Sequence, residues 1–245
     1  MTTIQTRLSA VRDRITDACQ RAGRRPDAVT LLAVSKTFGS DAVAAAHAAG
    51  QIAFGENYIQ EAVEKIGELR HLPLQWHCIG PVQSNKTRLV AAHFDWVQTV
   101  DRLKIAQRLS EQRPAHLAPL QVCIQVNVDG GLTKSGVPPG SALALAQAVA
   151  ALPHLRLRGL MCIPEPATDF GAACAVFKRA SALFDALNQE GLGLDALSMG
   201  MSADLEAAVA SGSTMVRVGS AIFGQRDYGA ATPPEAAIAD HPKDF

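Results

Sequence analysis

Eight short apolar segments recur along the chain, and stretches with a helical pattern separate them. These segments are residues 30–35, 51–55, 74–80, 94–100, 120–128, 157–163, 196–200 and 214–219. Strands that alternate with helices argue for parallel strands joined by crossover helices. Eight such units in 245 residues fit a TIM-type (β/α)8 barrel, an α/β fold of roughly 250 residues. An open doubly wound sheet is the second choice, because no G-x-G-x-x-G motif follows the first strand.

An additional helix is predicted before the first strand. Apolar residues recur there at steps of three or four, which is the period of one helix face. They are Ile4, Leu8, Val11, Ile15, Cys19 and Ala22. No linker interrupts the pattern that follows, so we expect a single barrel domain over residues 1–230. The small, polar, proline-containing segment 231–245 is expected to be a loosely ordered C-terminal tail.

The composition argues against several classes of protein and several kinds of partner. Lysine and arginine total 23, aspartate and glutamate also total 23, so no basic surplus is available to hold nucleic acid. The first residues are charged throughout, unlike a signal peptide, and no apolar run is long enough to span a bilayer. The five cysteines are scattered, and the histidines lack metal-ligand spacing. We therefore expect a cytoplasmic protein with no metal, no membrane partner and no nucleic-acid partner.

In a barrel of this type the active site lies where the strands end. Lys36 directly follows the first apolar segment, and a buried lysine is costly unless it is paired or neutral. Ser202 is expected to cap the helix after strand 7, where free amides can hold an anion. Gly219 and Ser220 follow strand 8, and such barrels often bind phosphate with the loops after strands 7 and 8.

The simplest chemical role for a lysine beside a phosphate site is to form a Schiff base with a phosphorylated aldehyde. Pyridoxal 5'-phosphate (PLP) is the leading candidate, and a sugar phosphate, as in a Schiff-base aldolase, is the other. Arg217 favours PLP, because PLP sites often place an aspartate or arginine against the pyridine nitrogen. A salt bridge to a barrel carboxylate is the competing explanation of Arg217. A guanidinium can only donate, so it would leave the ring nitrogen unprotonated and a weaker electron sink.

Several motifs together resemble the pyridoxal phosphate homeostasis protein family. They include AVSKTF (33–38), FGENYIQEA (54–62), LQWHCIGPVQSNK (74–86) and the long segment LSMGMSADLEAAVASGSTMVRVGSAIFG (197–224). The resemblance runs from about residue 4 to Tyr228. It implies a PLP-binding barrel related to the N-terminal barrel of alanine racemase.

The resemblance also implies roles for particular residues. Lys36 would be the Schiff-base lysine, and Arg217 would face the pyridine nitrogen. Ser202, Gly219 and Ser220 would hold the phosphate. Asn57 would lie near the phenolic oxygen of the ring.

The family's proposed role is to bind and buffer PLP and to pass it to apo-enzymes, without established turnover. The chain ends soon after strand 8, where alanine racemase has a second domain that supplies a catalytic tyrosine across a dimer. Only Tyr58 and Tyr228 occur here. We therefore expect a monomer that is not an enzyme. The alternative is a PLP-dependent amino-acid racemase or decarboxylase of narrow scope.

Two further residues near the predicted site have open roles. Lys134 follows strand 5 on a loop that contains Gly130 and Gly131. It is either a participant in handing PLP on or a solvated surface lysine. His77 lies within the third strand, where we expect it to fill the core rather than to pack on the PLP ring.

Overall fold

The computed structural model describes residues 3–131 and 134–224 of the 245-residue chain. Its strands follow the eight apolar segments of the sequence. They are β1 (Thr30–Val34), β2 (Ala53–Glu56), β3 (Gln75–Cys78), β4 (Trp96–Val100), β5 (Leu120–Gln125), β6 (Leu155–Met161), β7 (Ala196–Ser198) and β8 (Met215–Val218). Most of their residues are buried, as expected for parallel strands covered on both faces, although the first four residues of β6 are partly or fully exposed.

The eight strands form one closed parallel barrel in chain order. Strand β1 pairs with β2 on one side and with β8 on the other, and Thr30 lies opposite Met215 in that closing pair. The predicted TIM-type (β/α)8 barrel is therefore confirmed, and the open doubly wound sheet is excluded. Because all strands run in the same direction, their carboxyl ends meet at one face of the barrel.

Helices surround the barrel. They are α1 (Ile4–Arg21), α2 (Ser40–Ala48), α3 (Ile59–Glu68), α4 (Thr87–His93), α5 (Leu103–Gln112), α6 (Pro139–Ala150), α7 (Phe170–Gln189), α8 (Leu205–Ala210) and α9 (Ser220–Phe223). The predicted additional N-terminal helix is α1. Its buried residues include Leu8, Val11, Ile15 and Cys19, which belong to the predicted apolar face. Thr3 caps it, since its hydroxyl oxygen accepts a hydrogen bond from the amide of Thr6 at 3.2 Å.

The core has an outer part and an inner part. Successive side chains of a strand point to opposite faces. Accordingly, Leu31 and Ala33 of β1 pack in the large cluster that includes the helices, whereas Leu32 and Val34 belong to a separate cluster inside the barrel. The interior also contains polar side chains, and these lie directly below the predicted site.

The proposed domain limits are only partly covered by the structure. The described residues end at Gly224, so the expected boundary near residue 230 and the tail 231–245 lie outside them. Within the described ranges, none of the helices has the length and apolar character needed to cross a membrane.

Candidate functional site

A cavity of about 280 Å³ opens at the carboxyl ends of the strands. This volume is just below the range for small-molecule sites, roughly 300–1,000 Å³. All six residues selected from the sequence line it, although they come from four separate parts of the chain. The lining consists of Val34, Lys36, Asn57, Ile79, Ile163, Met201, Ser202, Ala203, Arg217, Gly219 and Ser220. The apolar members Ile79, Ile163 and Met201 were not predicted.

Lys36 is half-buried in this cavity, two residues after the end of β1. The preceding residue, Ser35, is fully buried and points to the other side of the sheet. Its hydroxyl donates to Glu56 Oε1 at 2.6 Å, and its carbonyl accepts from Lys65 Nζ at 3.0 Å. The following residue, Thr37, donates its amide to Glu61 Oε1 at 2.8 Å. The backbone is therefore held on both sides of Lys36.

These contacts converge on a buried ion pair that the sequence did not reveal. Lys65 Nζ lies 2.6 Å from Glu56 Oε1 and 3.1 Å from Glu61 Oε1. Burial raises the pKa of Glu56, while Lys65 and the hydroxyl of Ser35 oppose the rise. Thr37 has a φ of 69°, which is uncommon for a residue other than glycine. The bond to Glu61 is one of the contacts that hold this turn.

Arg217 is a buried cation at the floor of the cavity, with 4% of its surface exposed. Its guanidinium donates to Ser198 Oγ at 2.7 Å and to the carbonyl of Cys162 at 2.8 Å. Within residues 3–131 and 134–224 no carboxylate forms an ion pair with it, so the salt-bridge explanation is wrong. These bonds use two of the five N–H groups of a guanidinium. A buried guanidinium without a carboxylate partner suits a ligand that accepts hydrogen bonds.

The expected position of Ser202 as a helix cap is wrong. Helix α8 begins at Leu205 with Asp204 at its N-cap position, and Ser202 lies in the preceding turn. The turn forms because Gly200 has a φ of 93° and because Asp204 Oδ1 accepts the amide of Met201 at 2.6 Å. Ser202 nevertheless faces the cavity together with Gly219. The two loops meet there as predicted, through a turn rather than through a capped helix.

Gly219 and Ser220 form the other side of this region, directly after β8. A Cβ atom on Gly219 would lie 3.1 Å from the carbonyl oxygen of Val34, so a side chain there would crowd β1. The glycine thus permits close approach between the ends of the first and last strands. Lys36 and Ser220 are thereby brought to one cavity, although 184 positions separate them in the sequence.

Asn57 contributes an unsatisfied acceptor. Its Oδ1 atom is buried and has no hydrogen-bond partner among the described residues. The backbone of Asn57 is closely packed, since a Cβ on Gly80 would lie 2.2 Å from its carbonyl oxygen. A buried polar atom without a partner is costly unless a ligand or water satisfies it.

Lys134 and His77 are not among the residues that line the cavity. Lys134 forms an ion pair with Glu165 at 3.0 Å, which links the loop after β5 to the loop after β6. His77 is fully buried and stacks on Trp96 with ring centroids 5.0 Å apart. The expectation that His77 fills the core is confirmed.

Comparison with known proteins identifies the family. The model of the alanine racemase N-terminal domain matches residues 6–227. The pyridoxal phosphate homeostasis protein of Pseudomonas aeruginosa is 61% identical over 230 residues, which cover 94% of this chain and 99% of that protein. The chain belongs to the pyridoxal phosphate homeostasis protein family. Another member, from Escherichia coli K12, is 53% identical over 231 residues, covering 93% and 99% of the two chains.

Solved structures extend the comparison to the barrel of this family. PipY from Synechococcus elongatus, with PLP bound, is 37% identical with a TM-score of 0.78, covering 91% of this chain and 100% of that chain. Alanine racemase from Corynebacterium glutamicum is 22% identical with a TM-score of 0.61, covering 92% and 63% of the two chains. The second match shows a shared fold alone.

The residues of the cavity fit PLP chemically. PLP carries an aldehyde, a phosphate, a pyridine nitrogen and a phenolic oxygen. The cavity offers an amine on Lys36, backbone and hydroxyl groups at Ser202 and Ser220, and a guanidinium at Arg217 that forms no ion pair with a described carboxylate. These groups are distributed around one cavity, so each can contact a different part of a single ligand.

Proposed function

We propose that this chain binds PLP in the cavity and serves PLP homeostasis, holding the cofactor as a Schiff base on Lys36. The observation that carries the proposal is the presence of Lys36 and Arg217 in one cavity. The amine of Lys36 condenses with the aldehyde of PLP, forming a C=N bond and releasing one water. Two relatives named for PLP homeostasis and a PLP-bound relative at 37% identity support this assignment.

The other groups of the cavity hold the rest of the cofactor. We assign the phosphate to Ser202, Gly219 and Ser220, because phosphate is bound well by amide and hydroxyl donors in such loops. Arg217 donates to the pyridine nitrogen. Asn57 lies at the phenolic side, where its unsatisfied Oδ1 can accept a hydrogen bond from a ligand or from a bridging water.

The arginine favours a carrier role over broad PLP-dependent carbanion chemistry. PLP supplies an electron sink whose strength depends on protonation of its ring nitrogen. Arg217 keeps its protons, so it donates to that nitrogen without protonating it. We propose a monomeric cytoplasmic carrier that buffers PLP and delivers it to apo-enzymes. The names of the relatives support the homeostatic part of this role. Light scattering and transfer of PLP to an added apo-enzyme test the monomeric state and the delivery.

The absorption spectrum of the PLP-loaded protein tests the Schiff base. We expect a visible band that borohydride removes, followed by recovery of a reduced PLP adduct on Lys36 by mass spectrometry. Lys36→Ala should lack the band and the adduct. Lys134→Ala is the matched control, because this lysine lies on a rim loop and should leave both unchanged. A band of wild-type intensity in Lys36→Ala would overturn the assignment.

A further inference from the structure

A row of hydrogen-bonded side chains crosses the interior of the barrel below Arg217. Arg217 contacts Ser198 Oγ at 2.7 Å, and Ser198 Oγ contacts Gln98 Oε1 at 2.7 Å. Gln98 Nε2 lies 3.0 Å from His77 Nδ1, and His77 Nε2 lies 3.0 Å from Gln75 Oε1. Ser198, Gln98 and His77 are fully buried, whereas Gln75 is exposed. The row thus runs from the cavity to the opposite end of the barrel.

The chemistry of these groups allows only one direction of donation. The guanidinium of Arg217 has no acceptor, so it donates to Ser198. The single hydroxyl proton of Ser198 then goes to Gln98 Oε1, which orients the amide. Gln98 therefore donates to Nδ1 of His77.

The last step of the row fixes the tautomer of the histidine. Because Nδ1 of His77 accepts, the proton of the neutral imidazole resides on Nε2, and Nε2 donates to Gln75 Oε1. Burial lowers the pKa of His77 to about 3, in agreement with a neutral ring. In every hydrogen bond of the row, the donor is the residue nearer the cavity and the acceptor is the residue farther from it.

This arrangement holds the guanidinium of Arg217 through neutral acceptors, and no residue in 3–131 or 134–224 forms an ion pair with it. Four strands contribute to the row, since Arg217, Ser198, Gln98 and His77 lie on β8, β7, β4 and β3. A second acceptor, the carbonyl of Cys162, holds the other side of the guanidinium at 2.8 Å. Two acceptors in different directions fix the plane of a guanidinium more firmly than one.

We infer that Ser198, Gln98 and His77 are positioning residues that hold the guanidinium of Arg217 in place below the cavity. The inference rests on the proposed function for the ligand that Arg217 meets. It extends that function because the row contains no carboxylic acid. None of its members can therefore pass a proton to Arg217 for transfer to the ring nitrogen. Arg217 can only donate a hydrogen bond to that nitrogen, without protonating it.

Two substitutions interrupt the row at different points. Ser198→Ala removes one of the two acceptors of Arg217, and Gln98→Leu removes the partner of both Ser198 and His77. Ser213→Ala is the matched control. Ser213 is equally buried and lies between β7 and β8, but its hydroxyl contacts the backbone oxygens of Met199 and Met215 and takes no part in the row.

The first measurement uses the protein without ligand. In nitrogen-15 NMR of the side chain, the Nη groups of Arg217 should be resolved in the wild type, because rotation of a fixed guanidinium is slow. They should broaden in Ser198→Ala and in Gln98→Leu, and stay resolved in Ser213→Ala. This readout reports the order of Arg217 and does not depend on PLP.

The second measurement is titration with PLP, together with the nitrogen-15 shift of ring-labelled PLP. We expect roughly tenfold weaker binding in Ser198→Ala and a changed ring-nitrogen shift. Ser213→Ala should match the wild type. If Ser198→Ala and Gln98→Leu resemble Ser213→Ala in both measurements, the inference is overturned. If the wild type binds no PLP but Arg217 loses order in the variants, the proposed function fails and the positioning role stands.

Discussion

The side chains of Lys65 and Glu56 form a buried ion pair with a separation of 2.6 Å, directly behind the residue that precedes Lys36. Lys65 lies on α3 and Glu56 ends β2, so the pair attaches a helix to the barrel at the edge of the candidate site. Ser35 bonds to both partners. The position of Lys36 therefore depends on charges that lie outside the cavity.

The first prediction is that Glu56→Gln destabilises the protein strongly. The substitution leaves the ammonium of Lys65 buried with its main counter-charge removed, and losses of this kind cost about 3–5 kcal/mol. Urea unfolding monitored by circular dichroism measures the free energy of unfolding. Glu61→Gln is the control, because this partly exposed second partner should cost only about 0.5 kcal/mol. Equal losses in the two variants would contradict the prediction.

The second prediction concerns the acid side of the stability profile. The pKa of His77 falls from 6.5 to about 3 on folding because the ring is buried. Between these values the unfolded chain binds a proton that the folded chain does not. Stability from this group is therefore lost as the pH falls from about 6.5 toward 3, at about 1.4 kcal/mol per pH unit.

His77→Gln should reduce that slope by one proton in urea unfolding measured between pH 4 and 6. His116→Gln, which replaces a histidine exposed on the surface, serves as the control for the loss of a histidine elsewhere in the chain. A slope for His77→Gln equal to that of the wild type would show that His77 titrates alike in both states.

The third prediction contrasts two glycines. Gly200 has a φ of 93°, and a Cβ there would lie 2.3 Å from the Cβ of Ala208, so Gly200→Ala should cost about 2 kcal/mol or more. Gly67 lies exposed in α3 with open space around its Cβ position. Gly67→Ala should stabilise the protein by about 0.4–1 kcal/mol. Melting temperatures that move in the same direction for both variants would refute the contrast.

The fourth prediction concerns thiol reactivity. Burial raises the pKa values of Cys78, Cys123 and Cys162 to about 12, and Cys19 is also buried. Thiolates are the reactive form, so these four should react slowly with Ellman's reagent in the native protein. Cys174, which is half-buried, should react first, and five thiols should react in guanidinium. The Cys174→Ser variant should lose the fast phase; its persistence would identify another residue as the source.

The barrel was predictable because eight apolar segments with intervening helices leave few alternatives. The meeting of the six selected residues in one cavity was predictable because the ends of parallel strands share one face, whereas the apolar part of the lining was not predicted. The turn at Ser202 was not, because the start of α8 depends on the backbone of Gly200 and on the bond between Asp204 and Met201. A serine before an apolar helix looks the same in both arrangements.

The contacts between distant strands could also not be predicted from the sequence. Gln98 and Ser198 are 100 residues apart, and their meeting depends on the register of strands that contain irregularities between β4 and β5 and between β5 and β6. The pair of Glu56 and Lys65 spans a strand end and a helix. Periodicity places each residue on a face, but it does not give the partner across the fold.

The one-way order of donors inside the barrel has a consequence for how this interior can be redesigned or can diverge. Each of Ser198, Gln98 and His77 accepts on one side and donates on the other, so a replacement must supply both functions at the same distances. A single exchange breaks two bonds at once and leaves at least one buried neighbour without its partner in the row. A change that preserves the row therefore requires several simultaneous substitutions. We expect these interior residues to change together or to stay as they are.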